Sequence, residues 1–305
     1  MTTLPTLPTL PTLPDTDTTP LTPRTRRDPL ARLRRLGGSR LQRTCLALLV
    51  LFVLIALLGP WIAPYDPTFG QLGDTLLGPS AQHWLGTDQG GHDTLSALLV
   101  GTRTSLAGPL AVVLFSTILG VAAGLFTAWR GGWIDTAVGR ALDVLFAFPA
   151  LLLAILAVAL FGKGMTAPVI AMALAYMPYT ARLVRGLAVR EKSRPYIAAY
   201  RVQGHSPLYV TVRRLLPNIA PTLLAQSTVN FGYALLDLAA LSFLGLGVQP
   251  PTPDWGAMIN QGQAAVLQGQ PLSAIAPAVA VVLVVVAFNV VGEDLGDRLA
   301  GRDSR

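Results

Sequence analysis

Six long apolar runs limit what this chain can fold into. They lie at about 44–58, 105–129, 141–161, 166–187, 219–247 and 275–291. A helix rises 1.5 Å per residue, so about 20 apolar residues cross the ~30 Å hydrocarbon core of a bilayer. Only 13% of the residues are charged and 52% are hydrophobic, whereas soluble domains carry about a quarter charged. The predicted fold is therefore all-α: a polytopic membrane bundle of six transmembrane helices.

The charges orient these spans. Residues 60–100 hold no Lys or Arg but contain Asp66, Asp74, Asp88 and Asp93. Residues 248–273 also lack basic residues. Both segments are expected outside, because basic loops stay in the cytoplasm. Arg130–Arg140, the stretch from Arg182 to Arg214, and the tail with Arg298, Arg302 and Arg305 are expected inside. Only Lys163, in an outer turn, departs from the alternation. Both termini are placed in the cytoplasm. The net charge of +7 belongs to clusters flanking spans, which meet anionic lipid, so nucleic acid is not an expected partner.

Residues 1–43 form a separate segment. Thr-Leu-Pro repeats four times from Thr3 to Pro14, and proline at every third position prevents a helix. Disorder is expected there, followed by a basic stretch from Arg24 to Arg43. No apolar core follows the start, so it does not read as a signal peptide. Residues 44–302 form the six-span domain. Cys45 is the only cysteine, which excludes an intrachain disulfide and a CxxC site.

The loop 190–218, expected inside, is the longest charged stretch between apolar runs. Arg190, Lys192, Arg194, Arg201, Arg213 and Arg214 face a single acid, Glu191. Pro195 opens a short helix with Tyr196, Ile197 and Tyr200. Gly204 fits the left-handed position that ends it. Ser206-Pro207 then reads as a cap and a first turn, with Leu208, Val212, Leu215 and Leu216 on one face. Such a helix–turn–helix either rests on the membrane surface or docks a partner. Elsewhere, Gly108, Gly120 and Gly124, and Gly232, Gly245 and Gly247, permit close helix packing. Pro149 and Pro178 predict kinks. Asp143 is expected to pair with Arg140 at i,i+3.

Two groups of residues resemble a known family. Tyr196-Ile197-Ala198-Ala199-Tyr200-Arg201-Val202-Gln203-Gly204, with Leu216-Pro217-Asn218 after it, is similar to the "EAA" signature of permease subunits in binding-protein-dependent ABC importers. His83-Trp84-Leu85-Gly86-Thr87-Asp88, then Gly91, Asp93, Leu95 and Ser96, resembles the outer motif of the second permease type in the peptide/nickel branch. Gly131–Asp135, Phe148-Pro149, Leu241–Val248, Pro250–Pro253, Trp255-Gly256 and Phe288-Asn289 match the same branch. The likeness spans about 45–302. The chain departs from the pattern at Ala198, where the signature has glutamate, at Tyr200, at His92 and at Leu238. Asp237 adjoins Leu238 but points about 100° away.

The resemblance implies a second homologous permease in a heterodimer, two cytoplasmic ATPase subunits and an extracytoplasmic solute-binding protein, in a bacterial inner membrane. Loop 190–218 becomes the coupling helix, with Tyr196, Ile197, Ala199, Tyr200, Arg201, Gly204, Leu216 and Pro217 docking an ATPase. Asp237 and Asn230 are candidates for the translocation path or the partner-permease interface, since an ionisable group at membrane depth is a functional candidate. Asp88, Asp93 and Trp255 are candidates to face the receptor. No GxxxxGK[ST] is present, so ATP and Mg²⁺ belong to partner subunits and no cofactor or metal is expected on this chain. The cargo implied is a di- or oligopeptide, with nickel or another small solute as the alternative. An ion-coupled secondary transporter needs more intramembrane acids than Asp237 and an internal repeat, and neither is found.

Overall fold

The computed structural model describes residues 40–303, so the Thr-Leu-Pro leader and the basic residues up to Arg35 lie outside the described residues. Helix α1 spans Arg40–Ile62, α2 Thr94–Arg130, α3 Gly132–Phe146, α4 Ala150–Phe161 and α5 Thr166–Lys192. Loop 190–218 holds α6, Pro195–Val202, and α7, Pro207–Val210. It continues through a π-helical turn, Thr211–Leu215, into α8, Leu216–Phe243. Short helices α9, Trp255–Gln261, and α10, Gln263–Leu267, precede α11, Leu272–Asp303. Among the described residues, extended structure is limited to an isolated bridge between Thr87 and Asp93.

Four helices (α1, α2, α5 and α11) are long and apolar enough to cross a membrane, and α3 with α4 makes a fifth if counted as one broken span. Helix α1 exposes Leu46, Val50, Leu51, Val53, Leu54 and Leu57, a surface suited to lipid. Helix α8 has the length, but Gln226, Asn230 and Asp237 dilute its apolar character.

Several expected boundaries move. Gly59-Pro60 does not end α1, which runs on to Ile62. Helix α2 begins at Thr94, inside the expected outer loop, because Asp93 caps it by accepting from Ser96 N–H at 2.8 Å. The expected basic turn 130–140 is mostly helix α3. Proline effects diverge. At Pro149 the third span breaks, with α3 and α4 at 79°, since Pro149 is extended (ψ 131) and the residue before a proline resists α geometry. Helix α5 continues through Pro178.

The glycines expected as contact points divide: Gly245 and Gly247 lie beyond the end of α8, and a Cβ on Gly245 would meet nothing within 4 Å, whereas those of α2 pack closely. Gly120 and Gly124 of α2 lie against Thr180, Ala181 and Val184 of α5. Ser116, Gly120, Gly124 and Ala128, four residues apart, are all buried. One core cluster includes Val112, Met172, Leu235, Leu241, Trp255 and Val284. A second, of Ala128, Val184, Ala188, Leu215, Ile219 and Leu223, joins α2 and α5 to the start of α8.

Candidate functional site

Loop 190–218 uses its polar groups internally. The buried Glu191 carboxylate (6% exposed) sits at the end of α5. Its Oε1 accepts from Tyr196 Oη at 2.6 Å and Asn218 Nδ2 at 3.1 Å. Asn218 also donates to Tyr196 Oη at 2.9 Å, and Arg194 Nε lies 3.1 Å from Glu191 Oε2. One acid thus ties α5, α6 and α8 together. Burial, then the Glu191 bond, pushes the Tyr196 phenol up to about 12. Beside this knot, Lys192 donates to Ala128 O, and Lys192 and Arg201 both lie over the Trp129 ring, at 4.7 and 5.0 Å. Burial and the Arg201 charge hold the Lys192 ammonium below its usual range.

This geometry changes several assignments. Tyr196 is not a free docking anchor, since its hydroxyl bonds Glu191 and Asn218. Tyr200 is half-buried under Arg214, 4.7 Å from its ring, and meets His205, which stacks on Tyr209. Ile197 is fully buried, Leu216 packs on the second core cluster, and Pro217 opens α8. Ala199 and Arg201 are exposed. The expected face of Leu208, Val212, Leu215 and Leu216 splits apart. Leu208 is 74% and Val212 53% exposed, while Val210 and Leu215 are fully buried. The π turn at Thr211–Leu215 carries an extra residue, so Val210, five before Leu215, is buried beside Thr211. The most exposed apolar side chains of this loop, here called its ridge, are Val202 (89% exposed), Leu208 and Val212.

Gly204 turns α6 into α7 at φ +79, and a Cβ there would meet nothing within 4 Å. Gly204→Ala should therefore meet backbone strain alone, about 1–2 kcal/mol. The variant is expected to assemble and to keep at least half of wild-type uptake, read by size-exclusion profile and transport. Complete loss of assembly would show that the turn has less room than this.

The intramembrane candidates lie near one cavity. Asn230 is buried and accepts from Gln226 Nε2 at 3.2 Å. It lines an open cavity of about 580 Å³ with Phe146, Phe148, Tyr176, Tyr179 and Tyr233. The break at Pro149 forms one wall. Asp237 lies beside it, accepting from Tyr176 Oη at 2.9 Å.

In the loop before α2 the motif residues build the loop itself. Asp93 is 4% exposed, caps α2, and accepts from Ser96 Oγ at 2.6 Å, with His83 Nδ1 at 2.9 Å. Asp88 Oδ1 accepts from the N–H groups of Gly90 and His92 at 2.8 and 2.9 Å. Trp255 is fully buried, donates Nε1–H to Leu98 O at 3.2 Å and meets the Phe52 ring edge-on. Asp93 and Trp255 therefore do not face a receptor: the loops fold down onto α1 and α2, and these side chains fasten them. Trp84, by contrast, is 71% exposed. Next to Trp255, burial raises the Asp254 carboxyl above its usual range although Ser105 Oγ donates to it at 2.9 Å. Asp143 pairs with Arg182 at 3.3 Å rather than with Arg140, and Asp135 pairs with Arg185, joining α3 to α5. Among the described residues no group of three His, Cys, Asp or Glu is placed to hold a metal.

The sequence singled out neither Asn218 as a partner nor Tyr176, Gln226 and Tyr233 as cavity residues. Glu191 alone left a signal, as the one acid among six bases.

Comparison with known proteins gives the same direction. Residues 116–302 match the family described as binding-protein-dependent transport system inner membrane component. Residues 30–79 match the N-terminal TM domain of oligopeptide transport permease C. The glutathione transport system permease protein GsiD of Escherichia coli O6:K15:H31 is 39% identical over 267 residues, covering 87% of this chain and 88% of that protein. The protein of the same name from Shigella boydii serotype 4 matches to the same extent. Among solved structures, an inward-facing MetNI methionine ABC transporter matches with a TM-score of 0.52 over 67% of this chain and 96% of that one, at 19% identity, a likeness of fold. With a family match over most of its length and such relatives, the chain belongs to the binding-protein-dependent inner-membrane permeases, as a non-catalytic ABC importer subunit of the peptide/nickel branch whose ATP hydrolysis is carried out by partner subunits.

Proposed function

We propose that this chain forms half of the translocation path for small peptides, glutathione-sized tripeptides among them, in an importer of a bacterial inner membrane. Its partners are a second permease, two ATPase subunits and an external solute-binding protein. Both termini are cytoplasmic and the chain crosses six times: α1, α2, the broken pair α3–α4, α5, α8 and α11. The polarity of α8 suits the crossing that lines the path. ATP and Mg²⁺ are handled by the ATPases, and this chain holds no cofactor. Trp84 and the part-exposed Asp88 are the outer-loop positions offered to the receptor.

The observation that carries the coupling role is the loop 190–218. Its apolar ridge, Val202, Leu208 and Val212, stands exposed on a base fixed by Glu191, Tyr196 and Asn218. A rigid base transmits displacement, and an apolar ridge gives an ATPase groove something to bury. The peptide assignment is supported by the names of the relatives at 39% identity.

The test is co-purification with the second permease and the ATPases, followed by receptor-dependent ATPase and uptake assays. The panel holds glutathione, di- and oligopeptides, and nickel chelates. Peptide-stimulated hydrolysis is expected. Transport by this chain alone without ATP, or stimulation by nickel chelates only, would overturn the reading.

A further inference from the structure

Helix α8 carries Gln226, Asn230, Tyr233 and Asp237 at i, i+4, i+7 and i+11, one stripe along a helix. The first three line the open cavity, with Tyr176 and Tyr179 of α5 opposite. The stripe continues one turn to Asp237, held by Tyr176 Oη at 2.9 Å. Among the described residues no Lys, Arg or His pairs with Asp237. A carboxylate at membrane depth is costly unless it is paired, and a single tyrosine hydroxyl leaves most of its acceptor capacity unused.

The other groups point to what fills that gap. Tyr176 and Tyr233 bring aromatic rings to the cavity, and the faces of such rings attract cations. Gln226 and Asn230 bond one another through one donor and one acceptor. Whichever way the two amides are turned, one C=O and one NH₂ are left over, the complement of a peptide bond. Asp237 lies seven residues beyond Asn230, about 10 Å along the helix, which is about three extended residues of chain.

We propose that this stripe recognises the free α-ammonium group of a small peptide in transit, with Asp237 pairing the ammonium and Gln226 and Asn230 contacting a backbone amide. The ligand class is a short peptide with an unblocked amine. The inference rests on the peptide reading above and adds a specificity-determining residue to it.

The test uses the complete importer in proteoliposomes, with receptor confirmed to be loaded beforehand. Uptake of a free-amine tripeptide is compared with that of its N-acetylated form. Wild type is expected to favour the free amine. Asp237→Asn is expected to cut free-amine uptake about tenfold and bring the ratio near one, and Asp237→Glu to restore part of the preference. Tyr176→Phe, which keeps the ring, is expected to lower the ratio less, and it serves if Asp237→Asn does not assemble. Equal loss for both peptides would make Asp237 a packing group and overturn the proposal, as would an unchanged ratio. If wild type takes up no peptide at all, the reading beneath it fails as well, and the two failures are distinct.

Discussion

Gly124→Val is expected to abolish recovery of the folded subunit. A Cβ on Gly124 would lie 2.5 Å from Ala181 O, 2.8 Å from Val184 Cβ and 3.0 Å from Arg185 N. Two of these three atoms belong to the α5 backbone, so no rotamer change relieves the contact. One turn earlier, a Cβ on Gly120 would meet Thr180 Cβ at 2.6 Å, so α2 cannot shift along the seam to escape. Overpacking costs about 1–3 kcal/mol where side chains can yield, and here a whole helix must move. Gly124→Ala already incurs the Cβ contact and is expected to lose about that much. Gly139→Ala is the control: a Cβ there meets nothing within 4 Å, and alanine improves helix propensity by about 1 kcal/mol. The measurement is monodisperse subunit per unit membrane by size-exclusion chromatography, with thermal midpoints for those that assemble. A Gly124→Val subunit of wild-type yield and midpoint would show that α2 and α5 do not pack this closely.

That seam was legible in the sequence, because small residues four apart on an apolar run have few other uses. Four spans and the broken pair α3–α4 were legible for a similar reason, since apolar length is a one-dimensional property. What failed was information held in the third dimension. Trp255 sits in a segment without basic residues and reads as an outer-loop aromatic. Only the fold brings Leu98 and Phe52 to it. Asp143 has Arg140 one turn away in sequence, yet Arg182 reaches it from another helix. The face drawn through Leu208, Val212 and Leu215 assumed 3.6 residues per turn, and the π turn at Thr211–Leu215 broke the count. Asn230 and Asp237 were found by their polarity alone, whereas the aromatic wall formed by Tyr176 and Tyr179 needed α5 to be placed beside α8.

Loss of Glu191 is expected to uncouple the importer while leaving it assembled. The loop departs from its family signature at Ala198, where the signature has glutamate. The structure moves the weight to Glu191, whose carboxylate holds Tyr196, Asn218 and Arg194. In Glu191→Ala, Tyr196 and Asn218 lose their shared acceptor. A partly buried donor left unmet costs about 1–3 kcal/mol, though water entering the site recovers part of it. The spans keep their packing, since the cluster of Val184, Ala188, Leu215 and Ile219 does not involve the acid. What loosens is the base beneath Val202 and Leu208. The expected result is co-purification with the ATPases at near wild-type yield, with receptor-driven uptake down at least about tenfold, or ~1.4 kcal/mol, and less solute moved per ATP. Glu191→Gln keeps an acceptor oxygen for Tyr196 and should fall between. Tyr196→Phe removes one bond and should lose less than Glu191→Ala. Should Glu191→Ala transport with wild-type stoichiometry, the ridge does not need this base, and the exposed residues alone carry the coupling.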